Sequence, residues 1–224
     1  MDFTYKSPKV LTTISTLFIG LTLLLSLASL YGSITEWNIY SHYEQQASFD
    51  QLSQEDKDTL AIIVAGADLL KTLFFILSIV FFLMWTYRVH RNGNALKLDG
   101  IVNAPGWSVT VYFIPLVNVL MPLITLLHLH KSGTKRASEQ SDKTIKPRNW
   151  VMYAWWVLFW GSYLVSLPAS FGSSDDTIGE LREQLPFFMV SETFYFLAGM
   201  FLIWTIRKVT SVQEIAAGKT GKEN

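Results

Sequence analysis

The sequence predicts an all-α membrane protein: four transmembrane helices as two repeated hairpins, with a Pro-broken re-entrant or interfacial helical segment between them. Three observations carry this expectation. Half of the 224 residues are hydrophobic and only 16% are charged, against about a quarter in soluble domains. The apolar residues are clumped into five stretches, 10–31, 60–87, 107–129, 150–171 and 187–206, each near the ~20 residues a helix needs to cross hydrocarbon. The loops between them are segregated by charge.

The first stretch follows Lys6 and Lys9, and its "SLA" at 26–28 has the small residues of a leader cleavage site. The apolar region of a secretory signal is shorter, ~7–15 residues, so this stretch reads as an anchor. Thr12, Thr16 and Gly20 recur every four residues, the spacing of a packing seam between membrane helices. The following loop is acidic: Glu36, Glu44, Asp50, Glu55, Asp56 and Asp58 face Lys57 alone. Stretch two contains Asp68 and Lys71, three apart and therefore on one helix face. After it come Arg88, Arg91 and Lys97.

The third stretch has basic segments on both sides, the second holding Lys131, Lys135, Arg136, Lys143, Lys146 and Arg148. Basic short loops stay in the cytoplasm. Five crossings would place one of these two segments outside, so the third stretch is expected to enter and return, or to lie in the interface. Its Pro115 and Pro122, with Asn118 between them, allow helix, break, helix, because proline removes a backbone donor. A single kinked crossing helix is the other reading. Stretches four and five flank a second acidic loop with Asp175, Asp176, Glu180 and Glu183 against Arg182, and the chain ends on Arg207, Lys208, Lys219 and Lys222. Four crossings then leave both termini cytoplasmic and the acidic loops outside.

Two echoes suggest a duplication. "FLMWTYR" at 82–88 returns as "FLIWTIR" at 201–207, with five of seven positions identical, and "SLASLYGS" at 26–33 returns as "SLPASFGS" at 166–173. Helix one thus matches four and helix two matches five. The expected organisation is a single membrane domain, 1–224: hairpin one 10–88, basic loop and re-entrant segment 89–149, hairpin two 150–208, cytoplasmic tail 209–224.

Residues 85–133 carry a resemblance. Arg88, Asn94, Pro105, Gly106, Trp107, Phe113, Ile114, Pro115, Asn118 and Pro122 resemble the signature of an uncharacterised bacterial multi-pass membrane family of unknown function. At Leu120 and Met121 the chain departs from the Trp and basic residue of that pattern. The resemblance implies a bacterial membrane protein and supplies no activity.

For chemistry, the candidates are the three charges inside apolar stretches, Asp68, Lys71 and Glu192, since intramembrane charges are costly and are paired or functional. Counted back from Trp85 and Trp204, Lys71 lies at a depth between the two carboxylates, so it can bridge them if helices two and five touch. No cysteine is present, which excludes disulfides and thiolate chemistry. His128 and His130 are two apart, whereas zinc-binding histidines on a helix sit four apart. No phosphate loop and no nucleophile elbow appears. The expected cofactor is none, and zero formal charge argues against nucleic acid. The expected partners are the bilayer, anionic lipid heads at the basic 131–148 loop, and a second copy or another protein. The expected function is a non-enzymatic assembly or regulatory module of the bacterial inner membrane. The alternative is a small channel or transporter using the broken segment and the intramembrane charges. No catalytic constellation supports an enzyme.

Overall fold

The computed structural model describes residues 3–101, 104–170 and 177–218. Asp175, Asp176, Lys219, Lys222 and the 171–173 part of the second echo lie outside the described residues. The regular elements among the described residues are helices. Helix α1 is Lys9–Tyr40; α2, Gln54–Leu60, runs through one π-helical stretch, Ala61–Ala65, into α3, Gly66–Ala95. Short α4, Trp107–Thr110, precedes α5, Met121–Ser141, then α6, Trp150–Ser170, and α7, Ile178–Ala216. Four helices are long and apolar enough to cross a membrane: Lys9–Tyr40, Gln54–Ala95, Trp150–Ala169 and Ile178–Ala216.

These helices outrun the apolar stretches. Three of the expected segments end at 31, 87 and 206, whereas α1, α3 and α7 continue to Tyr40, Ala95 and Ala216. Residues 209–216, expected as tail, are the last turns of α7, and the first part of the basic 131–148 loop is α5. The reason is packing. Val209, Val212 and Ala216 are buried, and so are Gly133, Thr134 and Ala137 of α5, while Lys131, Lys135 and Arg136 stay exposed. A helix that buries one apolar face keeps its hydrogen-bond ladder beyond the hydrocarbon.

The chain divides into two compact units. One comprises Ile19–Ile76 and Trp155–Met200. Here the loop after α1 clamps the start of α7: Ile178 N–H donates to the Ala47 carbonyl at 2.8 Å and Gly179 N–H to that of Gln45 at 2.9 Å. Tyr40, Leu52, Leu60, Ile178 and Leu185 form the small core beneath. Ser53 caps α2 by accepting from Asp56 N–H. Helices α1 and α7 approach so closely that a Cβ at Gly199 would stand 2.5 Å from Leu23 Cδ2, a small-residue contact of the kind that joins membrane helices.

The other unit comprises Met1–Phe18, Leu77–Ala154 and Phe201–Asn224. Trp85, Val89, Val111, Leu126, Leu129, Ile206 and Val209 are its innermost apolar residues. The 107–120 stretch is not one helix. After α4 come turns and a 3-10 turn, Val117–Val119, because Pro115 cannot continue a ladder. Leu116 sits at φ 66°, a conformation rare for a branched residue. Pro122 in the first turn starts α5, where its missing N–H is not needed.

The two echoed tryptophans play different parts. Trp85 is fully buried and donates its indole N–H to Thr210 Oγ1 at 3.0 Å. Trp204 is 37% exposed and meets Trp150 edge to face. Trp85 therefore does not mark depth as a lipid-facing anchor would, contrary to the expectation from sequence.

Candidate functional site

Asp68 and Lys71 lie on α3 and Glu192 on α7, and the fold brings all three together. Lys71 Nζ is 3.0 Å from Glu192 Oε2 and 3.6 Å from Asp68 Oδ1. Helix α1 completes the cluster. Ser29 Oγ donates to Asp68 Oδ1 at 2.6 Å and accepts from Lys71 Nζ at 3.2 Å, and the Ser26 hydroxyl donates to Glu192 Oε1. The side chains of Lys71 and Glu192 are mostly covered, whereas that of Asp68 is 52% exposed. Ser26 and Ser29 were missed in the reading of charges. Two hydroxyls three apart share a helix face, and such side chains bond across membrane helices, but α1 carries other Ser and Thr residues from which the sequence does not set these two apart. Next to the cluster Phe75 and Tyr195 meet edge to face at 6.0 Å, beside a cavity that Lys71 and Glu192 also line.

A second polar network, in the unit built on 1–18, 77–154 and 201–224, carried no signal that the charge pattern could reveal. Asn92 pairs with the backbone of Lys6 in both directions, accepting from its N–H at 3.1 Å and donating to its carbonyl at 2.8 Å. Gln213 accepts from Asn92 at 3.3 Å and donates to the Val89 carbonyl at 2.7 Å. Glu214 accepts from the hydroxyls of Tyr5 and Ser7 at 2.8 and 2.6 Å. Together these residues strap the segment before α1 to the ends of α3 and α7. Thr12, read as part of a packing seam, touches Thr210 hydroxyl to hydroxyl at 2.6 Å.

Residues 50–211, well over half of the chain, match the model of DUF4328, a domain of unknown function. The chain belongs to this family. No match was found among curated proteins or among solved structures. The residues on which the resemblance was read all lie inside the DUF4328 match. In the structure they shape backbone. Asn94 Nδ2 donates to the His90 carbonyl at 3.2 Å, the Pro105 carbonyl accepts from Ser108 Oγ at 2.7 Å, and Gly106 precedes α4. Trp107, Pro115 and Asn118 occupy the broken stretch, Pro122 is in the first turn of α5, and Arg88 is on α3. They do not join the Asp68, Lys71, Glu192 cluster. Among the described residues of this DUF4328 chain, no three His, Asp or Glu side chains converge as metal ligands would. Within the basic segment, Lys135 pairs with Asp99 at 2.7 Å.

His128 is exposed and His130 is buried on α5. Among the described residues, neither ring nitrogen of His130 has a hydrogen-bond partner. Burial, and next the Lys208 ammonium, push its pKa from 6.5 down to about 4. The unfolded chain therefore takes up this proton below about pH 6.5 and the folded chain only near pH 4. The stabilisation is present above pH 6.5 and is lost as pH falls, on the order of 3 kcal/mol in all. Thermal unfolding in detergent should show it as a difference: between pH 7 and 4 the wild type loses more stability than His130→Leu. Parallel profiles for the two proteins would refute the assignment.

Proposed function

We propose that this DUF4328 protein is a multi-pass protein of the bacterial inner membrane that serves as a non-enzymatic assembly or regulatory module, with both termini cytoplasmic. The observation that carries the reading is the closure of the intramembrane cluster within the chain. Lys71 is shared by two carboxylates, Ser26 donates to the other oxygen of Glu192, and Ser29 donates to the Asp68 oxygen that Lys71 faces. A network of this kind ties α1, α3 and α7 together through groups of the chain itself. The alternative, a small channel or transporter, draws support from the cavity beside the same charges. Flux from proteoliposomes separates the two readings. A module gives no ion-selective leak, and crosslinking in native membranes returns a defined homo-oligomer or protein partner.

The finer architecture belongs to the same proposal: two hairpins from a duplication, and a 107–120 segment that dips into lipid without crossing. Phe113, Leu116 and Leu120 turn outward, Leu116 at 86% exposure, which favours lipid contact over contact with water. The exposed cations Lys131 and Arg136, with those at 143–148, suit anionic lipid heads on the cytoplasmic side. Single cysteines test this topology, since the chain has none of its own. Ser41→Cys should label from outside, and Thr144→Cys only after the membrane is opened. Thr144 is the better inner probe because the Ser138 hydroxyl accepts from Ile145 N–H at 3.0 Å. Outside labelling of Thr144→Cys would overturn the re-entrant segment and the four-crossing count together.

A further inference from the structure

Helices α3, α6 and α7 line a half-open pocket of about 190 Å³. It is far larger than the ~10–15 Å³ one water occupies and smaller than the ~300–1,000 Å³ of sites for drug-sized ligands. Its walls include Lys71 and Phe75 of α3, Ser162 and Tyr163 of α6, and Glu192 and Tyr195 of α7.

Two of the wall hydroxyls, those of Ser162 and Ser191, offer acceptors. Both already donate, to the carbonyls of Phe159 at 2.7 Å and of Ser162 at 2.8 Å. What they offer an occupant is lone pairs. Lys71 Nζ donates to Glu192 and Ser29 and faces Asp68. Lys71 and Glu192 line the pocket, and Asp68, which lies outside its walls beside Lys71, leaves the cluster with one carboxylate in excess. Phe75 and Tyr195 add aromatic rings, whose faces attract cations. An anion here would meet the Glu192 carboxylate, and an apolar ligand would leave acceptors unmatched in a low-dielectric site. A small cation with N–H donors or a methylated nitrogen fits all three features.

We propose that this cavity binds a small organic ammonium, supplied either as a free amine or as the amine headgroup of a phospholipid. The proposal goes beyond the assembly reading and stands whether or not a partner is found. It is tested on the full chain in nanodiscs of phosphatidylglycerol, which contain no ammonium lipid, by calorimetric titration with ethylammonium and tetramethylammonium chloride against sodium chloride at equal ionic strength. The expected result is saturable binding at one site for an ammonium and none for sodium. Glu192→Gln should weaken it at least tenfold. Phe75→Leu leaves the ion pair in place, so the protein should keep its melting temperature while affinity falls about fivefold, the loss of one cation–π contact. Phosphatidylethanolamine in the nanodisc distinguishes the sources. A headgroup ligand is retained in native mass spectra and competes with the added amine, whereas a free-amine site titrates unchanged. No saturable binding by folded protein, or binding of full strength in Phe75→Leu, overturns the proposal.

Discussion

Lys71→Ala should lose ~1–3 kcal/mol of stability in detergent, and adding Glu192→Gln should return part of it. The argument rests on what the single substitution leaves behind. Lys71 Nζ stands 3.0 Å from Glu192 Oε2, with both side chains mostly covered. Without the ammonium, the carboxylate keeps the Ser26 hydroxyl and loses its charge partner in a place where charge is poorly solvated. Removing one member of such a pair is more harmful than removing both. Gln at 192 is neutral and can still accept from Ser26. The double-mutant cycle therefore predicts a coupling energy well above the few tenths expected of independent sites. Additive losses would mean that the pair contributes nothing through contact, and wild-type stability in Lys71→Ala would mean that the amine simply reaches polar surroundings on its own. Asp68→Asn should matter less, because its carboxylate is half exposed and lies farther off, at 3.6 Å.

Asn92→Leu should cost about 2–4 kcal/mol and open the segment before α1 to protease. Leucine matches asparagine in size and keeps the helix, so the effect isolates hydrogen bonding. The substitution strands three groups at once: the N–H and carbonyl of Lys6 and the Gln213 oxygen. Asn92 is fully buried, so water does not replace them without cost. Asn92→Asp should fall between the two, since a carboxylate accepts from Lys6 N–H but cannot donate to its carbonyl. Limited proteolysis together with thermal unfolding reads both effects. Equal cleavage of wild type and Asn92→Leu within residues 3–8 would show that other contacts hold the strap.

The intramembrane charges were legible because each interrupts an apolar run in which few charges occur. The partners that satisfy them were not. A serine on a membrane helix commonly bonds to its own backbone, as Thr13 does to the Lys9 carbonyl, so Ser26 and Ser29 give no sign from sequence that they serve another helix. The strap was hidden for a related reason. Asn92, Gln213 and Glu214 lie past the apolar runs, where polar residues are ordinary, and their partners are 86 to 209 residues away.

By itself the sequence determined that this is a helical membrane protein with four helices fit to span. Apolar runs of that length have few alternatives, since a backbone in lipid must satisfy its own hydrogen bonds and a helix does so locally. For the 107–129 stretch it favoured a break over one kinked helix, because Pro115 removes a donor wherever the chain goes, and the structure breaks at 111–120. Only the tertiary structure decided that one echoed tryptophan is buried against Thr210 while the other faces outward. It alone decided that α3 and α7 continue past their apolar runs, and that Lys71 meets Glu192 rather than the Asp68 on its own helix as its nearer partner. Those choices depend on which faces of different helices meet, and helical period and composition are the same whichever neighbour a face is given.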